Sequence, residues 1–237
     1  MACWRIPLTA ALVLLSACAT LPQAAFKGDV DRVAAGLSAG KAAIGDRYDE
    51  GGCIRCTLLH YAAGGGWVAV VRLLAEKGAD VNVPDGGGMT PLHHASARQQ
   101  VEAARFLLAS GAKPSLAARD PDGNTPLLLA VASPKEREAW IFTVYGPIAT
   151  TVKGPGPSVG LVELLLADGA DIQAATNRGD TPLHLAASLG NADVVRVLLA
   201  RGADREARNG AGATPAALAA SHGRTEVLGL LHQPGAR

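Results

Sequence analysis

A short alternation of polar and apolar positions returns five times along the chain. Its clearest form is residues 181–184, where a threonine and a proline precede a leucine and a histidine. Weaker or equal copies begin at Thr57, Thr90, Thr125 and Thr214, and the steps between the threonines are 33, 35, 56 and 33 residues. A period of this length predicts a solenoid of stacked structural repeats.

Each copy predicts a pair of helices. Threonine suits the N-cap of a helix, and proline suits its first turn, where a backbone N–H would lack a partner in any case. A second apolar run with helical spacing follows, as in residues 194–199, and a glycine such as Gly202 ends it. A further glycine lies two residues before the threonine in four copies, where a turn favours it. The unit is therefore predicted to be a turn, a helix, a short link and a second helix.

These features make the chain resemble the ankyrin-repeat family, and residues 177–204 match the family pattern best. The resemblance implies an all-α solenoid of stacked helix-turn-helix units with β-turn or hairpin tips. We predict about six units over residues 24–233, with an atypical first unit at 24–40 and a last unit that begins at Thr214. Terminal units are usually atypical because one of their faces meets solvent. Residues 234–237 are predicted to be a frayed tail.

The long step of 56 residues indicates an insertion in the fourth unit, over about residues 133–157. The insertion contains Trp140, Phe142 and Tyr145, and aromatic residues are common at interfaces. Three interpretations stay open. The preferred one is a longer first helix whose apolar residues pack on neighbouring units, and the others are a hook for a partner protein and a loop over a small-molecule pocket.

The start of the chain is predicted to be a targeting segment. Residues 1–17 combine a positive Arg5 with an apolar stretch that is too short to span a bilayer, which needs about 20 residues. The segment ends in residues 15–18, which resemble the bacterial lipobox. This resemblance implies a cleaved signal peptide, lipid on Cys18, a tether over residues 18–23 and a place in the bacterial envelope, at the periplasmic face of the outer membrane. A buried N-terminal helix is the alternative.

The charge balance limits the class of partner. The chain has 22 basic and 21 acidic residues, so removal of Arg5 with the predicted signal peptide leaves 21 of each. A nearly neutral chain argues against a nucleic-acid partner, which favours a basic stripe. We expect no cofactor, membrane contact through the lipid anchor only, and another protein as the partner.

Cys3 is lost with the predicted signal peptide and Cys18 carries the predicted lipid, so Cys53 and Cys56 are the two cysteines left for other chemistry. An exported protein meets an oxidising compartment, so we expect a structural disulfide between them. Free thiols, redox work and a metal site stay open, although zinc needs about four ligands and His60 offers at best a third. The alternative function is accordingly an envelope thiol–disulfide redox protein that uses this cysteine pair.

Catalysis is not expected from the other candidate motifs. The recurring His60, His93 and His184 are expected to bond neighbouring backbone, as the resemblance implies, rather than to form a metal set. Residues 36–40 match the hydrolase nucleophile string, but they fall at a helix end and lack the strand and strained turn that this motif needs.

The resemblance also implies where a partner binds. In the family, partners lie on the concave face made of hairpin tips and first helices, and the variable positions flank the tip glycine or lie late in the first helix. The corresponding residues here are Ile54, Met89, Arg98, Arg119, Asp122, Asn124, Asn177, Arg178, Asp180 and Arg208. With Trp140, Phe142 and Tyr145, they form the predicted partner-binding set of a non-catalytic interaction module.

Overall fold

A computed structural model of the chain describes residues 20–133, 136–143, 146–153 and 156–232, with side chains over 20–133 and 156–232. The predicted signal peptide, Cys18 and the predicted tail lie outside the described residues. Within them no helix combines the length and the apolar content needed to cross a membrane.

The described residues form twelve short helices that follow one another as six pairs. The first helices of the pairs are α1 (Leu21–Lys27), α3 (Leu58–Gly65), α5 (Pro91–Ala97), α7 (Pro126–Val131), α9 (Pro182–Leu189) and α11 (Pro215–Ser221). The second helices are α2 (Val30–Ser38), α4 (Val68–Glu76), α6 (Val101–Ala109), α8 (Val159–Ala167), α10 (Ala192–Ala200) and α12 (Thr225–His232). A 3-10 turn, Lys113–Ala117, lies between the third and fourth pairs.

The pairs stack into two layers, which confirms the predicted all-α repeat solenoid. Each first helix packs against the first helices of the neighbouring units, and each second helix packs against second helices. The repeated threonine caps the first helix from an extended backbone conformation, as at Thr125 and Thr181, where its side chain accepts a hydrogen bond from the amide three residues on. Four of these five helices begin with proline. The first helices therefore start where the threonine and proline of the repeat predict.

The core is made of small and branched apolar side chains between the layers. An alanine stands five residues after each capping threonine and is fully buried, which lets neighbouring first helices approach closely. These alanines are Ala62, Ala95, Ala130, Ala186 and Ala219. Leucines such as Leu92 and Leu165 fill the space between the pairs and are likewise buried.

The insertion forms a β-hairpin, so the expected longer first helix is wrong. Strands β1 (Glu136–Thr143) and β2 (Gly146–Lys153) pair antiparallel, with Glu136 opposite Lys153. Helix α7 ends at Val131, before Pro134, which disfavours a helical residue ahead of it and removes an amide donor. The aromatic and β-branched residues that follow favour a strand. The side chains of Trp140 and Phe142 and the whole of Tyr145 lie outside the described residues.

Gln99 joins the two helices that flank this insertion. It has a φ of 60°, at the link between helices where Gly66 and Gly190 stand in other units. Its side-chain Nε2 donates to the carbonyl oxygen of Ala130 at 2.9 Å, and its Oε1 accepts from the amide of Ser158 at 2.6 Å. These two bonds tie the end of α7 to the start of α8 and offset the cost of a left-handed non-glycine residue.

Candidate functional site

Four of the five tips that join successive units, those before Thr90, Thr125, Thr181 and Thr214, are each held by one side-chain oxygen. Asp85 Oδ1 accepts from the amides of Gly87 and Met89 at 2.8 and 2.9 Å. The residues at the equivalent position in the next three tips make the same pair of bonds, and they are Asp120, Thr176 and Asn209. Such side-chain turns fix the backbone locally, so the tips form a preformed surface.

Successive tips are joined by backbone hydrogen bonds. The amide of Gly86 donates to the carbonyl oxygen of Ile54 at 2.6 Å, and Asn177 and Gly210 donate in the same way to the preceding tip at 2.9 and 2.8 Å. The equivalent donor in the fourth unit is missing because Pro121 stands there and proline has no N–H. The ladder along the tips is therefore continuous except at the step between the third and fourth units.

The three recurring histidines bond neighbouring backbone, as predicted. The Nδ1 of His60 accepts from the amide of Thr57 at 3.1 Å, which leaves the hydrogen on Nε2, and Nε2 lies 3.1 Å from the carbonyl oxygen of Met89 in the next tip. His93 and His184 repeat this arrangement. Each histidine is buried and links one unit to the next.

Burial determines the protonation of two of these histidines. It lowers the pKa of His60 from 6.5 to about 4, and the neighbouring His94 adds to the effect. Burial also lowers the pKa of His93. Both side chains are therefore neutral at physiological pH, as their role as acceptor and donor of one hydrogen bond each requires.

Nine of the ten predicted partner-binding residues that are described with side chains lie along the tips, and Arg98 lies at the end of α5. Half of the ten also bond within the stack. Arg119 and Arg208 each donate to a tip glycine carbonyl at 2.9 Å. Asn124, Asn177 and Asp180 bond residues of their own or a neighbouring tip. Ile54, Arg98, Asp122 and Arg178 are exposed, and Met89 is half-buried.

The structure brings three members of that set into one cavity, which we call the N-terminal groove. It has a volume of about 730 Å³ and lies between the tips and the first helices of the first three units, and its lining includes Phe26, Ile54, Tyr61, Met89, His94 and Arg98. Ile54 is 63% exposed and Phe26 is 39% exposed. The guanidinium carbon of Arg98 lies 5.0 Å from the centre of the Phe26 ring, a cation–π distance.

A cluster of two cysteines, an aspartate and a histidine lies at the wall of this groove. Cys53 and Cys56 are at disulfide distance, with Cα atoms 5.8 Å apart, as the expected disulfide requires. Beside them, His94 Nε2 lies 2.8 Å from Asp85 Oδ2. Cys56 Sγ is 3.4 Å from the same carboxylate oxygen, and Cys53 Sγ is 3.8 Å from it and from His94 Nε2.

The sequence did not reveal this cluster. Asp85 has the same turn role as Asp120, and His94 follows a histidine that belongs to the repeat pattern. The signal that could have identified His94 is its departure from the repeat, because the equivalent residues of the fourth and fifth units are Leu129 and Leu185. Burial raises the pKa of Asp85, but the bond from His94 and the amides of Met89 and Gly87 outweigh it and lower that pKa overall.

The chain is similar to a known repeat family and to parts of two larger proteins. The model of the family described as ankyrin repeats (3 copies) matches residues 21–118 and 153–237. Neurogenic locus notch homolog protein 1 of Xenopus tropicalis is 34% identical over 137 residues, which cover 58% of this chain and 4% of that protein. The putative palmitoyltransferase ZDHHC13 of Danio rerio is 33% identical over 147 residues, which cover 61% of this chain and 19% of that protein. The chain thus spans only a small part of these relatives.

Proposed function

We propose that this chain, which belongs to the ankyrin-repeat family, is a non-catalytic scaffold. It binds another protein along its tips and first helices. The observation that carries this proposal is the N-terminal groove. Ile54 and Phe26 expose apolar surface there beside Arg98, and apolar anchors next to arginine are typical of the energetic centres of interfaces.

The bonds within the tips support the same function. Because side-chain turns, tip-to-tip amide bonds and buried histidines already fix the surface, a partner orders few groups when it binds. Binding to such a preformed surface loses less conformational entropy than binding to a flexible loop. The arginines and asparagines that brace the tips thus contribute to binding by holding the surface, while Ile54 and Arg98 are available for direct contact.

The partner is best sought by photo-crosslinking in the cell. A photoreactive side chain at Ile54 of the full-length protein is expected to yield a protein adduct of defined mass. Arg98→Glu in the same protein is expected to lower the yield at least tenfold, or about 1.4 kcal/mol, because it reverses the charge in the groove. Arg98 is exposed, so its replacement is expected to cost the fold about 1 kcal/mol or less.

The matched control is Arg105 on the opposite layer. Its side chain in α6 is 57% exposed and lies outside the groove. A photoreactive residue at Arg105 is expected to give no matching adduct, and Arg105→Glu is expected to leave the yield from Ile54 unchanged. Equal adducts from both sites, or none from Ile54, would count against the groove as the binding surface.

We also propose that lipid on Cys18 holds this scaffold in the bacterial envelope. Two or more acyl chains anchor a protein stably, since each buried CH₂ contributes about 0.8 kcal/mol. An anchor would raise the effective concentration of the scaffold toward partners at the same membrane.

Substitution of Cys18 tests the anchor. Cys18→Ala is expected to move the protein from the membrane fraction to the soluble fraction, as measured by fractionation of cells. Cys3→Ala, in the segment predicted to be removed, is the matched control and is expected to leave the distribution unchanged. Membrane association that survives Cys18→Ala contradicts the anchor.

A thiol–disulfide role for Cys53 and Cys56 is the second candidate function. The observation that favours it is the carboxylate and imidazole beside the cysteine sulfurs, since such groups can move the protons of thiol exchange. A reduction potential below about −300 mV is typical of structural disulfides. Measurement of such a value would exclude the redox function and leave the scaffold.

A further inference from the structure

Four potential metal ligands from different parts of the sequence meet at the wall of the N-terminal groove. Cys53 and Cys56 come from the tip that precedes the second unit (the second tip), and Asp85 comes from the tip that precedes the third unit (the third tip). His94 lies in α5. One ligand atom from each residue lies within 4.8 Å of every other. Two sulfurs, one imidazole nitrogen and one carboxylate oxygen form a donor set that suits zinc.

The repeat itself does not require these residues. Cys53 stands where the later tips have Gly86, Pro121, Asn177 and Gly210. Cys56 stands where they have Met89, Asn124, Asp180 and Ala213, and His94 stands where later units have leucine. Three departures from the repeat pattern therefore meet at one point, and the later units form their tips and helices without them.

The two carboxylate oxygens of Asp85 have different surroundings. Its Oδ1 accepts from two tip amides, like Asp120 Oδ1. The Oδ2 of Asp120 accepts from the side chain of Asn124 in its own tip, whereas Asp85 Oδ2 faces His94 and the two sulfurs. The Asp85 and His94 side chains are 6% and 17% exposed, so the position of the ligand atoms is fixed by packing.

The distances fit a tetrahedral ion with small adjustments. Zinc bonds of about 2.3 Å to sulfur and about 2.0 Å to nitrogen or oxygen place a sulfur about 3.5 Å from a nitrogen or oxygen ligand. The observed separations from sulfur are 3.4 Å and 3.8 Å. The Asp85–His94 pair, now 2.8 Å apart, must open by about half an ångström, and the two sulfurs must no longer be bonded.

We propose that Cys53, Cys56, Asp85 and His94 bind one Zn²⁺ when the disulfide is reduced. A dithiol supplies the reduction. One of its thiolates attacks Cys53 Sγ, the more accessible sulfur, and the Cys53–Cys56 bond breaks to leave a mixed disulfide. The second thiol of the dithiol then displaces Cys53 Sγ, and the dithiol leaves as a disulfide. Two electrons and two protons pass to the cysteine pair. Zn²⁺ then displaces both thiol protons and is held by two thiolates, the carboxylate and the neutral imidazole.

His60 is not part of this site, although it lies nearby. Its ring centre is 5.2 Å from that of His94, edge to face. Both of its nitrogens are engaged with backbone, at Thr57 and Met89. The sequence-based set of Cys53, Cys56 and His60 is therefore replaced by one in which Asp85 and His94 complete the four ligands.

Zinc titration of the full chain tests the proposal. The protein is reduced with a phosphine, which leaves no competing thiol, and Zn²⁺ is titrated against a chelator of known affinity. We expect one Zn²⁺ per reduced chain, bound at least 100-fold more tightly than by the oxidised chain or by the reduced Cys53→Ser, Cys56→Ser double variant. Co²⁺ in place of Zn²⁺ is expected to show thiolate charge-transfer bands and the visible bands of a tetrahedral site.

Two variants with matched controls test the remaining ligands. Asp85→Asn keeps the oxygen that holds the turn, and His94→Leu introduces the residue found in later units, so both are expected to fold. Each is expected to weaken Zn²⁺ binding at least tenfold and to change the Co²⁺ spectrum. Asp120→Asn and His222→Leu, distant from the cluster, are expected to bind like the wild type. Reduced wild type that binds no more tightly than the cysteine double variant, or Asp85 and His94 variants that match their controls, would overturn the site.

Discussion

Replacing Leu165 by alanine is expected to lower the free energy of unfolding by roughly 3–5 kcal/mol. Leu165 is fully buried in α8, and α8 packs against both α6 and α10. The loss combines the transfer free energy of the removed atoms with the cost of the cavity that remains. Because a solenoid is stabilised by contacts between adjacent units, the cavity weakens two interfaces at once.

Leu166 provides the control for this substitution. It lies in the same helix and is only half-buried against the core, so Leu166→Ala makes the same change in helix propensity with less burial lost. We expect it to cost about 1 kcal/mol. Urea unfolding followed by far-UV circular dichroism measures both, with the m-value as a check on two-state behaviour. Equal costs for the two substitutions would contradict the assignment of Leu165 to the core.

Acidification from neutral pH to about pH 4 is expected to remove about 3 kcal/mol of stability through His60. The pKa of His60 is lowered from 6.5 to about 4 in the folded chain. Between these values the unfolded chain binds a proton and the folded chain does not. Stability is therefore full above about pH 6.5 and is lost as the pH falls toward 4. His93, whose pKa is lowered by burial, acts in the same direction.

The variant His60→Leu isolates this contribution. Leu128 stands at the equivalent position of the fourth unit, so leucine is compatible with the repeat there. The variant is expected to be less stable at neutral pH, because the Thr57 amide loses its partner, and to show a flatter fall of unfolding free energy with pH. His222→Leu, at an exposed helix end, should retain the wild-type slope. A wild-type slope in His60→Leu would place the acid sensitivity elsewhere, for example at Asp85.

The stacked fold could be predicted from sequence because its determinants are local and repeated. Each threonine cap, proline and helix-ending glycine acts within one unit. The role of His184 is implied by the family resemblance, and the structure confirms its bonds to backbone. The hairpin was missed because the insertion has no copy elsewhere in the chain. Its aromatic and β-branched residues, such as Trp140 and Ile148, favour a strand, but the repeat pattern led to the expectation of a continuing helix.

The four-residue cluster could not be predicted because its contacts join different units. Cys56 and Asp85 meet only after the second and third tips have stacked, and their distance depends on the bond from Gly86 to Ile54. Asp85 also resembles an ordinary turn residue, since Asp120 does the same work. The cysteine pair could be identified from the sequence. The alignment of α5 with the second tip, which brings His94 to the cysteines, could not.

The fourth unit has consequences for how the protein responds to force. Pro121 removes the amide bond to the preceding tip, and Leu128 replaces the histidine that elsewhere bonds the following tip. This unit therefore lacks one recurring attachment on each side, and it carries the hairpin. If tension is applied along the stack, we expect the fourth unit to separate from its neighbours before the other units separate from theirs.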